Sequence, residues 1–415
     1  MISLEHARAY VVGHLPERTV ASVPFDRSAG MVVAAPVVAT VAVPPFDNTA
    51  MDGFAVRAAD TGGASRAKPV RLIVVATVAA GDDPTVSVGA GQAARIMTGA
   101  VMPRGADAVV MVERTTSVDN GAAVDIEAEV EAGRFVRTVG EAVRPGQQVL
   151  SAGAVITPAH VGVLSEVGVA EVEVFRPATV GVLSTGDELV DDGRPLAPGQ
   201  IRDSNRPMLL ALAAQAGCEV VDLGCAADDE SAISDAIGRG AATCDVVLST
   251  GGVSMGDFDY VKVVLERLGD MRWMQIAIKP AKPFAYGVVE GSPVFGLPGN
   301  PVSSLVSFEL LVRPALRHLA GHAQTDRPLV DAVLPDGAPR RPDGKVHYVR
   351  VRVGWDGARF VARPIQGQGS HQLLASASAN GLAVLDDGDG VAPGGVAPVM
   401  VLDAASAVGS ARGST

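Results

Sequence analysis

Cysteine is scarce in this chain of 415 residues. The three cysteines, Cys218, Cys225 and Cys244, form no C-x-x-C pair. Such a set argues against a disulfide framework and against a thiolate metal site, and it is typical of a reduced, cytoplasmic protein. Cys225 and Cys244 border strand-like apolar runs, so we expect both to be small buried residues.

Long apolar runs and an excess of basic residues are also missing. No run approaches the roughly 18 apolar residues that a membrane span needs, and the start, MISLEHARAY, lacks the layout of a secretory signal. The net charge of −12 argues against non-specific binding of nucleic acid or docking on an anionic membrane. An anionic ligand would therefore need positive charges that are gathered locally.

The length and the order of the predicted elements indicate a multidomain α/β plus β protein. Strand and helix patterns alternate over 176–322, which predicts a doubly wound, mostly parallel sheet with helices on both faces. Short β-like runs predict a small β-rich domain at 41–139, and a hairpin turning at Asp356-Gly357 predicts a C-terminal β domain at 323–405. We interpret 1–40 and 140–175 as N-terminal and linking elements, and 406–415 as a disordered tail.

Polar loops follow the predicted strands of the α/β domain. The loops read STGDE, STGGVSMGDFD, KPAKP and LPGNP. Ligands of open α/β sheets bind outside the carboxyl ends of the strands. These loops therefore predict one ligand site at that edge.

Two of these loops favour an anionic ligand. STGGVSMG offers backbone N–H groups and hydroxyls at a helix start, although a plain Gly-rich connection is the alternative. Lys279 and Lys282 are two of only five lysines in the chain and stand three apart in KPAKP. A surface salt bridge is the alternative there, but it gives no reason for spacing fixed by prolines.

Acids lie beside the predicted anion site. Asp187 and Glu188 follow one strand, Asp257 and Asp259 follow another, and Asp228-Asp229 open a helix, which one of that pair could simply cap. Carboxylates and phosphates share a site when Mg²⁺ lies between them. The loops together predict a site for a phosphorylated ligand with a hard divalent cation.

A further acid stands in the stretch PPFDNTAMDGFAV, residues 44–56. Asp47 and Asn48 suit a turn, because both bond their own backbone readily. Asp52 suits that interpretation less well, since the apolar Ala50-Met51 precedes it. Turn chemistry and a functional acid both remain open on these residues alone.

Taken together, the motifs resemble those of a known family. FDNTAMDGFAV, RIMTGA, GVLSTGDEL, IRDSN, STGGVSMGDFDYVK, AIKPAKPFAYG, GLPGNPVSS and GQGSH occur here in the order of the molybdopterin molybdenumtransferases. These are cytoplasmic enzymes that complete the molybdenum cofactor, and the E domain of gephyrin is similar to them. The resemblance runs from about residue 4 to 403.

The resemblance implies a reaction and a set of partners. The doubly wound domain would bind adenylylated molybdopterin, and Mg²⁺-dependent release of AMP would accompany transfer of molybdate onto the pterin dithiolene. The protein would be a homodimer, and the adenylyltransferase of the preceding step is a further partner to consider.

The resemblance also implies site residues, by position. The catalytic residues would be the acids Asp52, Asp187, Glu188, Asp228 and Asp259, of which Asp228 and Asp259 would hold magnesium. Substrate would be bound by Thr98, Gly251, Gly252, Ser254, Lys279, Lys282, Pro298, Asn300, Arg350 and Ser370. In this set Lys279, Lys282, Arg350 and Ser370 would form the molybdate pocket, with Gly251, Gly252 and Ser254 near the adenylate phosphate. Asp52 and Thr98 would close over the site from the other subunit, which favours a functional Asp52.

One position departs from the family pattern. In RTVGEAV, residues 137–143, the family commonly has G-E-D, and this chain has Ala142 in place of that acid. Either Glu141 substitutes for it, or the chain is a non-catalytic or weakly active paralogue that binds or carries the pterin. A third hypothesis, the adenylyltransferase itself, fits less well, because that enzyme resembles the α/β domain alone.

Overall fold

The computed structural model describes residues 1–83, 85–252 and 260–409. It divides into two compact units, one of residues 1–21 and 175–415 and the other of residues 22–174. Each unit has its own sheets and its own hydrophobic core.

The larger unit is built on a central sheet of six strands. In spatial order they are Glu219–Ala226, Thr179–Thr185, Val246–Thr250, Ser292–Leu297, Pro283–Val289 and Asp270–Gln275. The first four run parallel, and Pro283–Val289 is antiparallel to both of its neighbours. The helices of this unit are Leu4–Gly13, Asn205–Gln215, Glu230–Thr243, Tyr260–Leu268, Pro301–Ser307, Arg313–Leu319, Leu373–Ala377 and Ala404–Gly409, with a π-helical stretch at Phe308–Val312.

Both faces of the central sheet are covered because its strands are apolar at successive positions. Val246 and Leu248 point into a core with helices Leu4–Gly13 and Asn205–Gln215. Val247, between them, belongs to a second core with helices Glu230–Thr243 and Tyr260–Leu268. Side chains alternate between faces along a strand, so a continuous apolar run requires cover on both sides. The predicted arrangement of helices on two faces is confirmed.

The antiparallel strand Pro283–Val289 was not predicted. It follows the KPAK segment directly and pairs with Asp270–Gln275 on one side and Ser292–Leu297 on the other. Its residues, PFAYGVV, are nearly all buried and give no alternation of polar and apolar positions. A sequence pattern without alternation and beginning at a proline does not distinguish a strand from a buried loop.

The rest of the larger unit is a small β-barrel. Val346–Trp355, Phe360–Pro364, Leu329–Leu334, Gly395–Val401 and Gly381–Leu385 pair in that order, and the last pairs again with the first to close the ring. Asp356 and Gly357 lie at the turn of the predicted hairpin, where the Asp356 N–H donates to the Arg359 carbonyl at 3.0 Å. The strand Ile278–Lys279 adds to this barrel by parallel pairing with Val346 and His347. Short paired strands at Leu189–Val190 with Ile201–Arg202, and at Ala338–Pro339 with Gly390–Val391, complete the unit.

The smaller unit is rich in β-structure. Its main sheet has six strands in the order Ala108–Met111, Gly53–Val56, Gln92–Ile96, Ser65–Val78, Ala123–Ala128 and Thr115–Val118. Its shorter strands are Val32–Val33, Val37–Val38, Asn48–Thr49, Val136–Arg137 and Gln148–Leu150, and its α-helix is Pro158–Glu166. Strands Val20–Pro24 and Glu171–Phe175 pair where the chain passes between the units. The predicted multidomain α/β plus β class is confirmed, and the boundaries predicted for the individual domains stay predictions.

Two expectations about single features can be compared with the structure. Cys244 is buried as expected, but Cys225 is exposed, because it stands near the end of the sheet's outermost strand. In the described part of the chain no helix is long and apolar enough to cross a membrane.

Candidate active site

The carboxyl ends of the parallel strands meet at one edge of the central sheet. Ser184 lies beside Thr250 in the register, and Thr250 lies beside Leu297. The loops STGDE, STGG and LPGNP therefore begin next to one another, as the sequence predicted from the strand order. Between them is a pocket of about 330 Å³. It is lined by Ser184, Thr185, Glu188, Leu189, Ile201, Arg202, Asp203, Ser204, Asn205, Thr250, Gly251, Gly299, Asn300, Pro301 and His371.

Asn205 ties two of these loops together. Its Nδ2 donates to Thr250 Oγ1 at 2.9 Å and to the Gly299 carbonyl at 2.7 Å. The Thr250 hydroxyl in turn donates to the Pro298 carbonyl at 3.4 Å. Gly251 has φ of 101° next to this point, and a Cβ there would lie 2.8 Å from the Thr185 carbonyl oxygen. The close approach of these loops therefore requires glycine at 251.

The structure brings two predicted acids together. Ala226 lies beside Thr185 in the register, so Asp228 and Asp187 each stand two residues beyond neighbouring strands. The Asp228 N–H donates to Asp187 Oδ1 at 3.0 Å. The helix cap is Asp229, whose Oδ1 accepts from the Ala232 N–H at 2.9 Å, so the Asp228 side chain is not used as that cap. Glu188 lines the pocket nearby.

The buried Arg206 fixes the position of the segment 186–205, which carries Asp187 and Glu188. Arg206, in the first turn of helix Asn205–Gln215, forms ion pairs with Asp191, Asp203 and Asp222, which come from a loop, the helix start and a strand. Asp203 is 1% exposed and also accepts from Ser184 Oγ at 2.6 Å. The sequence did not predict this network, because its members are far apart in the chain, although IRDSN is one of the motifs that resemble the family.

The two predicted lysines differ in their surroundings. Lys279 lies in the strand that adds to the C-terminal barrel and lines a second pocket of about 650 Å³ together with Arg340, His347, Gln368 and Gly369. Lys282 is exposed, and its carbonyl accepts from the Ile276 N–H at 2.8 Å. Neither lysine is paired with an acid within residues 1–83, 85–252 and 260–409, so both ammonium groups remain available to an anion.

Charged groups at the edge of the second pocket are mutually paired. Desolvation raises the pKa of Asp343, but the hydrogen bonds that it accepts from His347 and Lys345, with the charges of these groups, outweigh this and lower the pKa to about 2. Burial lowers the pKa of His347, which the Asp343 carboxylate partly offsets. Arg340, 4% exposed, pairs with Asp343 and Asp387.

Arg350 holds the loop that carries Ser370. It is 2% exposed, and its guanidinium donates to the Gln368 side chain, the Ser376 hydroxyl and three backbone carbonyls, those of Gly367, Gly369 and Gln372. A guanidinium has five N–H donors, and all five are used here. The Ser370 carbonyl accepts from the Val302 N–H at 3.1 Å, which joins this loop to the start of helix Pro301–Ser307. The predicted contact of Arg350 with molybdate stays a prediction and would require a change in these bonds.

Asp52 and Thr98 lie together in the smaller unit. The backbone N–H and the hydroxyl of Thr98 both donate to Asp52 Oδ1, each at 2.7 Å. These two bonds, the backbone bond first, lower the pKa of the exposed Asp52 carboxyl. Asp47 Oδ1 accepts from the Val139 N–H at 2.7 Å, which is a bond to a distant segment rather than to its own turn.

The segment with Ala142 packs beside this turn. The Ala142 N–H donates to the Val43 carbonyl at 2.9 Å, and the Gly140 N–H donates to the Pro44 carbonyl at 2.9 Å. The neighbouring Glu141 accepts from the Thr138 N–H at 3.1 Å, so its carboxylate is folded onto its own turn.

Part of the predicted magnesium site lies outside the described residues. Ser254, Asp257 and Asp259 fall in 253–259, which the structure does not describe. In the described ranges on either side of this gap, no group of three or more His, Cys, Asp or Glu is placed to hold a metal ion. Asp187 and Asp228 carry carboxylates, which is the donor type that Mg²⁺ prefers.

Family models match most of the chain. Residues 2–168 match the MoeA N-terminal region (domain I and II), residues 181–318 match a probable molybdopterin binding domain, and residues 333–402 match the MoeA C-terminal region (domain IV). A molybdopterin molybdenumtransferase of Haemophilus influenzae is 37% identical over 389 residues, 93% of this chain and 95% of the relative. The chain belongs to the molybdopterin molybdenumtransferase family.

Other relatives agree with this assignment. Molybdopterin molybdenumtransferase 2 of Mycobacterium tuberculosis is 40% identical over 368 residues, 87% of this chain and 89% of the relative. The crystal structure of a molybdopterin biosynthesis MoeA protein from a Pyrococcus species matches with a TM-score of 0.83 and 33% identity, covering 97% of this chain and 99% of that one. The predictions of an enzyme and of a function in molybdenum cofactor biosynthesis are confirmed, while the site residues stay predictions.

Proposed function

We propose that this molybdopterin molybdenumtransferase inserts molybdenum from molybdate into adenylylated molybdopterin, with Mg²⁺-dependent release of AMP. The observation that carries the proposal is the meeting of Glu188, Asp187 and Asp228 with the Gly251 and Asn300 loops at one edge of the sheet. Acids, glycine backbone and amides in one place suit a ligand that combines phosphate with polar rings.

The nucleotide would bind at this edge. An oxygen of water or of molybdate attacks the pterin-side phosphorus, the bond from that phosphorus to the bridging oxygen breaks, and AMP leaves with the bond electrons. The two dithiolene sulfurs bond to molybdenum, and the oxygens that they displace from molybdate leave as water. Asp228 and Asp259, the two predicted ligands, would hold Mg²⁺, which typically binds one or two carboxylates together with substrate phosphate. Asp187, whose Oδ1 accepts from the Asp228 N–H, would be a further catalytic acid. When bound, the ion neutralises charge on the phosphates. Glu188, on the pocket wall, would orient a polar group of the substrate or the attacking water.

Molybdate would bind beside the loop that Arg350 anchors. Lys279 shares a pocket with Gln368 and Gly369 of that loop, and Ser370 follows them in the chain. Lys282, three residues after Lys279, would supply the second ammonium group. An acidic protein of net charge −12 repels a dianion in general, so local lysines are needed to hold it. The two lysines would act electrostatically, and Arg350 would position the loop.

A second candidate function rests on Ala142. An alanine methyl binds neither metal nor water, and the Glu141 carboxylate already accepts from its own turn. These facts favour a weakly active or non-catalytic paralogue that binds or carries the pterin. The other acids implied by the family resemblance are present at Asp52, Asp187, Glu188 and Asp228, and these favour an active enzyme.

Single-turnover release of AMP from adenylylated molybdopterin, with Mg²⁺ and molybdate, separates the two candidates. The wild type is compared with Asp228→Ala and Ala142→Asp. Release by the wild type and its loss in Asp228→Ala would support the transferase. If the wild type binds the nucleotide but releases AMP only after Ala142→Asp, the chain is a binding paralogue. If none of the three proteins binds the nucleotide, the proposed function is wrong.

A further inference from the structure

The side chain of Asn205 has a polar atom without a partner at the pocket. Asn205 is 9% exposed and lines the 330 Å³ pocket. Its Oδ1 is buried and has no hydrogen-bond partner among the residues that the structure describes. Buried side-chain oxygens are normally paired, so an oxygen left over at a ligand pocket indicates a partner that the ligand supplies.

The orientation of this side chain is fixed. Both hydrogens of Nδ2 are used, one by Thr250 Oγ1 and the other by the Gly299 carbonyl. A turned amide would place Oδ1 against the Gly299 carbonyl oxygen, and two acceptors repel. The Thr250 hydroxyl donates to the Pro298 carbonyl, so it accepts from Asn205 rather than donating to it. The oxygen therefore stays the free end of the amide.

The chemistry of the oxygen restricts the ligand group that it can bind. An amide oxygen only accepts, so it does not bind a phosphate or molybdate oxygen that also accepts. Glu188, an acceptor when ionised, lines the same pocket. Arg202, Thr185 and Ser204, which can donate, line the pocket as well. The acceptors Asn205 Oδ1 and Glu188 are therefore the groups of this lining that suit the amino or hydroxyl groups of a ligand.

We propose that Asn205 Oδ1 accepts a hydrogen bond from a neutral N–H or O–H group of the substrate and so selects which end of it enters this pocket. The inference rests on the proposed function, which supplies the substrate. Adenylylated molybdopterin offers such donors in its adenosine and in its pterin. Asn205 would thus be a specificity-determining residue, distinct from the acids that act on the phosphate.

Binding measurements with Asn205→Ala test this inference. Calorimetry compares adenylylated molybdopterin, AMP, inosine 5′-monophosphate, 2′-deoxy-AMP and 3′-deoxy-AMP on wild type and variant, and thermal unfolding checks that the variant is folded. We expect the variant to bind adenylylated molybdopterin about tenfold more weakly, the loss of one well-placed hydrogen bond. If the wild type binds one analogue more weakly than AMP, the group that this analogue lacks is a hydrogen-bond donor to the protein.

The outcomes distinguish the sources of the donor. If the wild type prefers AMP over one analogue and Asn205→Ala loses that preference, the donor is on the adenosine. If Asn205→Ala binds AMP normally and adenylylated molybdopterin weakly, the donor is on the pterin. Equal binding of adenylylated molybdopterin by both proteins, or an equal loss for every ligand, would overturn the inference. A wild type that does not bind adenylylated molybdopterin would instead refute the proposed function, on which the inference depends.

Discussion

At the scale of single residues, the hydrogen bonds from Thr98 favour the ionised form of the Asp52 carboxyl. The folded pKa lies below the ordinary value of 3.8 because two Thr98 groups donate to one oxygen. A lowered folded pKa means that the ionised carboxylate stabilises the fold above the unfolded pKa. That contribution is lost as the pH falls through the folded pKa.

Thr98→Val should therefore change the pH dependence of the reaction. The substitution removes the hydroxyl donor and keeps the backbone donor, so the pKa of Asp52 rises part of the way to its ordinary value. If Asp52 must be ionised, the acid limb of the rate of AMP release moves to higher pH. Thr116→Val is the matched control, because Thr116 donates to Glu127 at 2.7 Å in the same unit. An acid limb that stays in place in Thr98→Val would show that ionisation of Asp52 does not limit the reaction.

Alanine substitutions of the neighbouring acids Asp228 and Asp229 should have different effects, one on activity and the other on stability. Asp229→Ala removes a helix cap and should lower the free energy of unfolding by about 1 kcal/mol, with AMP release retained. Asp228→Ala should change that free energy by no more than about 0.5 kcal/mol, since its side chain is exposed, but lower AMP release by about 100-fold. Urea unfolding and single-turnover kinetics measure the two effects. If the effects are exchanged between the two variants, Asp228 is structural.

At the scale of elements, Arg206 determines the position of the segment between strand Thr179–Thr185 and helix Asn205–Gln215. Arg206→Leu leaves the buried Asp203 without its cation and should lower the free energy of unfolding by about 3–5 kcal/mol. The exposed pair Arg267–Glu230 provides the control, and Arg267→Leu should cost no more than about 1 kcal/mol. Denaturant unfolding of both variants checks this expectation. Similar small losses in both would mean that the Arg206 network contributes little.

The central sheet could be predicted because its signals are local. Its parallel strands are mainly apolar runs followed by polar residues. Helix Glu230–Thr243 has a side-chain cap at Asp229, and helix Asn205–Gln215 is followed by Gly217 with φ of 94°. Pro283–Val289 could not be predicted in the same way, since its partners are chosen by packing rather than by its own pattern. Strand Ile278–Lys279 likewise joins the barrel through a partner about seventy residues away along the chain.

The candidate site could be predicted in its loops but not in its side-chain contacts. Strand order alone implies that the STGDE, STGG and LPGNP loops meet, because parallel strands end at one edge. The contacts of Asp203, Asn205 and Arg206 could be seen only in the folded structure. Their partners, in the same order, are Ser184, Thr250 and Asp222, which lie on other strands. The contacts of Arg350 were equally unpredictable. Nothing in the residues around Arg350 indicates that its guanidinium donates to the loop 367–376.

At the scale of the whole molecule, the residues predicted for the active site are divided between the two units. Glu188, Asp228 and Lys282 belong to the larger unit, and Asp52 and Thr98 belong to the smaller one. The family resemblance predicts a homodimer in which Asp52 acts on the site of the other subunit. In a symmetric dimer such an arrangement is isologous, so each subunit would complete its partner's site.

Mixing two inactive variants tests whether Asp52 acts across subunits. Asp52→Asn and Asp228→Ala are each purified, then unfolded and refolded together so that subunits exchange at random. If Asp52 acts in trans, half of the dimers are mixed and each has one complete site, so about a quarter of wild-type AMP release should return. If Asp52 acts within its own chain, every site in a mixed dimer lacks one acid and no activity returns. Sedimentation of the wild type as a monomer would exclude the arrangement altogether, and separately refolded variants control for recovery.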